Sequence, residues 1–154
     1  ELWRDSAITY ANRLQPDLIV LMGTKSTPET SNERALSGLD DTRKRLNVPG
    51  ASIALVRDNP RFKEDMFLCV EQESDVSVCA RDRADVLGDD DLLALFEGDG
   101  IGVLDLTDLL CINDVCPAVI GGVIAYLDDN HLTRTYARTM TPVYAERLAH
   151  ITGW

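Results

Sequence analysis

The 154 residues carry 26 Asp plus Glu against 15 Lys plus Arg, a formal net charge of −11, and 45% of them are hydrophobic. That length allows one domain and hardly two, and the acidity excludes a phosphate-tracking nucleic-acid binder or an anionic membrane surface as the partner of the chain as a whole. No apolar run reaches the ~18–20 residues that a spanning helix needs, since the longest candidate, Val103 to Leu127, is interrupted by Asp105, Asp108, Asn113 and Asp114.

The first residue is Glu1, with no charged and apolar leader behind it, so the chain reads as excised from something longer. Leu2 to Leu14 places Trp3, Ala7, Tyr10, Ala11 and Leu14 on one helical face. Asp17–Met22 is a continuous apolar run ending at Gly23, the pattern of a strand buried on both faces. Ser31 to Leu46 reads as a second helix, with Asp41 and Arg45 at i,i+4 spacing. Ala51–Val56 is a second buried strand, introduced by Pro49-Gly50 and closed by Asp58-Asn59-Pro60. Asp58 to Ser77 is charged and predicts a surface excursion.

Ala80–Leu87 and Asp91–Phe96 suit one helix broken at Gly88 and the aspartates after it. Gly102–Leu106 is a third strand, and Val123–Tyr126 a fourth or only an extended segment. Thr133–Ile151 closes the chain as a helix kinked or broken at Pro142. Helices alternating with continuous apolar strands predict a parallel α/β sheet. Such sheets take ligands beyond the carboxyl ends of their strands. Here those ends carry Gly23-Thr-Lys-Ser-Thr27, Arg57-Asp58 and Thr107-Asp108.

Cys69, Cys79, Cys111 and Cys116 form two close pairs, which points to disulfides 69–79 and 111–116 among three possible connectivities. Free buried thiols and a four-cysteine zinc site are the competing readings. The zinc reading is disfavoured because nine residues separate Cys69 from Cys79, against the two to four usual in zinc ribbons. Disulfides would place the domain outside the cytoplasm.

Asp128-Asp-Asn-His131 precedes the closing helix. An Asp three residues before a His can accept from one imidazole nitrogen, fix the tautomer, and leave the other nitrogen to deprotonate a hydroxyl. Asp and Asn are also ordinary turn residues, so spacing alone favours a surface or capping histidine after a turn.

Asp128-x-x-His131-Leu132-Thr133 resembles the last motif of the SGNH hydrolases, and more specifically of the extracytoplasmic SGNH domains fused to acyltransferase-3 type membrane O-acyltransferases. Trp3-Arg4, Gln15–Leu21, Val48–Asp58, Val103–Cys111, Cys116–Gly121 and Tyr126 fit the same family. The likeness runs through most of the chain apart from the insert around Asp58 to Ser77.

The resemblance implies a three-layer α/β/α sandwich with a mostly parallel, flavodoxin-like sheet. It also implies a serine esterase-like site without cofactor or metal, in which Asp128 orients His131 and His131 is the general base. The family's nucleophile sits in a Gly-Asp-Ser motif after the central strand, and no Gly-Asp-Ser occurs in these residues. Asp5-Ser6 falls inside a helical pattern instead. Residues 1–154 are therefore expected to be the C-terminal portion of a single SGNH-like domain, with central strand and nucleophile on a missing upstream segment. Without that strand the sheet would expose two unpaired apolar edges, so the folded object is expected to contain more polypeptide or a second copy.

The family's oxyanion motif offers Gly23, but Thr24-Lys25-Ser26 replaces the usual Asn; Gly23, Thr24 and Ser26 are the oxyanion and substrate candidates. Ser26 is also a candidate relocated nucleophile. The implied activity moves an acyl group, acetyl foremost, onto a hydroxyl of a cell-envelope glycan or lipid. A membrane acyltransferase domain of the same protein would deliver the acyl donor and tether the domain on the extracytoplasmic side. The alternatives are a catalytically incomplete module that binds the envelope acceptor and, more weakly, a flavodoxin-like nucleotide-binding domain. The absence of a Gly-rich phosphate loop speaks against the last.

Overall fold

A computed structural model describes residues 2–28, 30–89, 92 and 101–154. Helix α1 spans Leu2–Leu14, followed by strands β1 (Leu18–Met22), β2 (Thr24–Thr27) and β3 (Thr30–Ala35), helix α2 (Leu39–Arg45) and strand β4 (Ser52–Val56). Helix α3 (Met66–Gln72) and a 3₁₀ turn (Val76–Cys79) lead to β5 (Ala80–Asp82) and α4 (Arg83–Val86). Then come β6 (Ile101–Leu104), α5 (Thr107–Leu110), β7 (Val115–Pro117), β8 (Val119–Ile120), β9 (Val123–Ile124) and α6 (Arg134–Thr152).

The three expected apolar runs make one parallel sheet in the order β1-β4-β6. Its register sets Ile19, Ile53 and Ile101 side by side, then Val20, Ala54 and Gly102, then Leu21, Leu55 and Val103. Paired residues of neighbouring strands point to the same face and successive ones to opposite faces. The Ile19/Leu21/Ile53/Leu55 face packs under Leu39 of α2. The opposite face receives α6, whose Ile151 fills the space a Cβ on Gly102 would need. The mixed α/β layering is thus the expected one. The cover over β1 is incomplete: Val20 is 45% and Met22 46% exposed.

A second apolar cluster lies among the segments after β4. Phe62, Met66, Leu110, Tyr126, Tyr136 and Met140 are buried there with Cys79, Cys111 and Cys116. The cysteines form the pairs 69–79 and 111–116, which commits all four sulfurs and removes both the zinc and the free-thiol readings. The rings of Phe62 and Tyr126 meet edge-on with centroids 4.7 Å apart, an arrangement worth ~0.5–1.5 kcal/mol beyond its burial.

Several expectations are corrected. Ser31–Leu46 is not one helix: its first part pairs antiparallel with β2, and helix starts only after Gly38, whose φ of +81° breaks the backbone path. A side chain at Gly38 would also collide with the Arg4 guanidinium. The residues after Gly23 are accordingly strand β2 and not a loop. Val123–Tyr126 gives only the short β9, paired with β8 through Gly121 and Gly122, both with positive φ. Such a turn closes a tight hairpin and keeps it apart from the main sheet.

The face forecast for α1 is largely in water, with Trp3 83% exposed, while Ile8 is the buried residue. Asp58–Ser77 is no mere excursion, since Pro60, Phe62 and Met66 are fully buried. Ala80–Leu87 divides into β5 and α4, and Asp91–Phe96 lies outside the described residues apart from Leu92. Helix α6 continues through Pro142. Tyr136 and Met140 before the proline, and Ile151 after it, are all held by packing. Among the described residues no helix is long and apolar enough to cross a membrane.

Candidate active site

The loop between β9 and α6 folds around the Asp128 carboxylate. Oδ1 accepts from the backbone N–H of Asn130 (2.9 Å) and of His131 (2.7 Å), and Oδ2 faces His131 Nδ1 at 2.7 Å. Burial alone would raise the Asp128 pKa, but the two backbone donors and the imidazole outweigh it and hold the pKa at about 2. An ionised carboxylate only accepts, so Nδ1 carries the proton of this bond, and in the neutral tautomer it selects Nε2 carries the lone pair. The ring is 72% exposed. Asp128 and His131, expected to act together, are together.

The loop is locked at both ends. Leu127 N–H donates to His131 O, Thr133 N–H to Ala125 O, and the Thr133 hydroxyl to Ile124 O. Thr133 then caps α6 by accepting from Tyr136 N–H. The segment after β4 grips it from outside: Phe62 N–H donates to Asp129 O and Met66 N–H to Asp128 O.

The carboxyl ends of the strands converge on the same segment. Arg57 reaches Glu33 with Nη2 at 2.7 Å from Oε2, Asp105 with Nη1 at 3.2 Å, and Gly88 O with Nη2 at 2.9 Å. Asp58 Oδ2 accepts from Ser26 N–H at 2.7 Å, and Asp58 N–H donates to the Thr24 hydroxyl at 2.8 Å. Gly23, Thr24 and Ser26 therefore do lie where β1 and β4 end. Gly23 N–H, however, is already donated to Val56 O at 2.8 Å, so the expected oxyanion donor is spent within the sheet. Ser26 is buried, and among the described residues its Oγ has no hydrogen-bond partner and so no base beside it. Asp5 and Ser6 sit on α1, with Asp5 paired to Arg45 and Ser6 bonded back to Leu2 O.

The family model described as "SGNH domain (fused to AT3 domains)" matches residues 3–146. The chain belongs to that SGNH family. Among solved structures, the SGNH domain is similar to the periplasmic domain of a lipopolysaccharide acetyltransferase from Salmonella ser. Paratyphi A. The TM-score is 0.62 at 15% identity, and the match covers 94% of this chain and 61% of that one. At that identity the likeness bears on fold. This SGNH domain thus spans a little under two thirds of its structural neighbour's length. No curated protein compared with it matches.

Sequence reasoning missed the residues that support the SGNH domain's Asp128–His131 pair, namely Asn59, Arg61 and Asn130. Asn130 lay in view as an unassigned position of the motif itself. Glu33 was hidden by its assignment to a helix; its carboxylate is shut off from solvent against Arg57.

Proposed function

We propose that this domain transfers an acyl group, acetyl foremost, to a hydroxyl of a cell-envelope glycan or lipid through a Ser-His-Asp site, on the extracytoplasmic side of the membrane. The observation that carries the reading is the Nδ1–H···Oδ2 bond of 2.7 Å from His131 to an Asp128 carboxylate held ionised. It leaves Nε2 as a base aimed at nothing else among the described residues. The two disulfides support an extracytoplasmic site. Fusion of the family to AT3 domains supports a membrane partner domain that delivers the acyl donor.

In this reading the serine comes from a Gly-Asp-Ser segment outside these residues. Among the described residues no strand pairs with the outer edge of β1, and Val20 and Met22 are uncovered beside it, which supports a strand and a helix from that segment docking there. As the serine Oγ attacks the acyl carbonyl, Nε2 takes its proton. The imidazolium, stabilised by Asp128, returns that proton to the leaving group, and an acyl-serine remains. The acceptor hydroxyl then gives its proton to Nε2 and attacks the acyl-serine, and the serine recovers a proton as it leaves. Thr24 and Ser26, both buried and held by Asp58, sit in this reading beneath the substrate side of the site.

A second reading is favoured by the committed Gly23 N–H and by the lack of Gly-Asp-Ser in these residues: a module that binds the envelope acceptor without turning it over. Labelling of the full-length protein with a fluorophosphonate, followed by denaturing mass spectrometry, separates the two. An adduct on a Gly-Asp-Ser serine that is lost in His131→Ala is the expected result. No adduct on any serine of the full-length protein would leave the binding module.

A further inference from the structure

Among the described residues the His131 ring has a single partner, Asp128, and it stands mostly in water, so its position is decided by the loop that carries it. That loop has its own clamp. Asn130 is buried, and its side chain is used on every side: Nδ2 donates to Asn59 O (3.2 Å) and Pro60 O (3.3 Å), and Oδ1 accepts from Arg61 Nη2 at 2.8 Å. Arg61 Nη1 takes Asp129 Oδ2 at 2.9 Å, and Asn59 Nδ2 returns a bond to Asn130 O at 3.3 Å. The preceding residue of the same segment, Asp58, holds Ser26 N–H and Thr24 Oγ1.

The geometry points to Asn130 and Arg61 as positioning residues for His131, acting through a strut, Asp58–Arg61, that sets the spacing between the base and the Thr24–Ser26 segment. Three features single out this strut from general packing. It binds two parts of the site that share no direct hydrogen bond among the described residues, β2 at one end and the Asp128–His131 loop at the other. It contains Pro60, whose ring fixes φ and stiffens the link. And its contacts fall on the two residues, Asp129 and Asn130, that lie between the carboxylate and the imidazole. Displacing a reacting group by about 1 Å costs up to about a hundredfold in rate, so a strut of this kind is felt in turnover before it is felt in binding.

This inference rests on the proposed catalytic reading, and the test separates the two. In the full-length protein, hydrolysis of p-nitrophenyl acetate is measured for wild type, His131→Ala, Arg61→Ala, Arg61→Lys and Asn130→Asp, with circular dichroism confirming the fold. His131→Ala is expected to abolish turnover. Arg61→Ala and Asn130→Asp are expected to lower kcat about tenfold with KM within about twofold of wild type. Arg61→Lys, which keeps one of the two contacts, recovers part of the loss. In ¹⁵N-histidine spectra the Nδ1–H tautomer that dominates in wild type gives way to a mixed population in Arg61→Ala, a change that a merely stabilising residue would not produce.

If kcat in Arg61→Ala and Asn130→Asp matches wild type while His131→Ala is inactive, the strut is structural and the inference is overturned. If His131→Ala keeps the wild-type rate, the catalytic reading falls and the inference with it. Should Asn130→Asp fail to fold, Arg61→Ala decides alone, because the Arg61 side chain is only partly buried.

Discussion

Arg57 and Glu33 face each other across the carboxyl end of the sheet with both side chains withdrawn from water. Three Arg57–Glu33 hydrogen bonds join them, from Nε to both carboxylate oxygens and from Nη2 to Oε2. Removing one partner of a buried pair strands the other charge, which costs about 3–5 kcal/mol. Glu33→Gln is expected to lose less than that in urea unfolding, because Asp105 still faces the Arg57 guanidinium at 3.2 Å. The double variant Arg57→Met/Glu33→Leu is expected to regain most of it, since apolar replacement removes both charges from the interior. A single variant as stable as wild type would show that the pair is not desolvated in solution.

The Asp128 carboxylate makes a pH prediction with a definite sign. Its folded pKa of about 2 lies below the ordinary aspartate value of about 3.9. The unfolded chain therefore binds the proton more readily, and stability rises with pH between the two values. The contribution is complete above about pH 4 and is lost as pH falls toward 2; the half-exposed side chain keeps it small. Thermal melts of wild type and Asp128→Asn should differ by a constant amount near neutrality and converge near pH 2. A gap that persists undiminished at pH 2 would assign it to packing.

Each disulfide closes a short loop, with a sequence separation of 10 for Cys69–Cys79 and of 5 for Cys111–Cys116. Loops of that size are worth ~2–3 kcal/mol by restriction of the unfolded chain. Cys69→Ala/Cys79→Ala should lose that much in denaturant titration under oxidising conditions, while dithiothreitol lowers wild type further by opening both. Cys79 is also fully buried in the second cluster, so a loss well above the range would measure packing in addition to the crosslink.

Among the described residues strand β1 has β4 on one side and no strand on the other, with Val20 and Met22 exposed. An apolar, unpaired edge recruits other strands. The 154-residue domain is expected to self-associate with rising concentration, and Val20→Lys to suppress this in sedimentation velocity. Monomeric behaviour of the wild-type domain at high concentration would mean that the edge is protected by other means.

What the sequence made legible follows from what it encodes locally. Asp17–Met22, Ala51–Val56 and Gly102–Leu106 carry the three strands of one parallel sheet, whose apolar runs are continuous and easily seen, although the expected burial on both faces fails for β1, where Val20 and Met22 are exposed. The Asp128–His131 pair was legible because both partners sit in one turn. The β2–β3 hairpin was not: Thr24–Thr27 and Thr30–Ala35 are polar, and their pairing depends on Gly38 ending the strand path and on Glu33 meeting Arg57, distant in sequence. The apolar face of α1 misled for the opposite reason. Trp3 and Leu14 have the periodicity of a buried face, yet the described residues put nothing over them. Likewise the charged stretch after Asp58 conceals Pro60, Phe62 and Met66, which are spaced too irregularly to signal a core.

Helix α6 begins at Arg134, directly after the loop that carries His131, and runs 19 residues, about 28 Å at the usual rise, to the residues packed on Gly102. On the way Arg147 is fastened to Asp108. The histidine therefore combines a solvent-facing ring with a backbone that has almost nowhere to go. In the proposed acyl transfer His131 would serve two hydroxyls in succession, first a serine's and then an acceptor's, and that combination would set the order of events from outside: the base would wait in one place while the partners change.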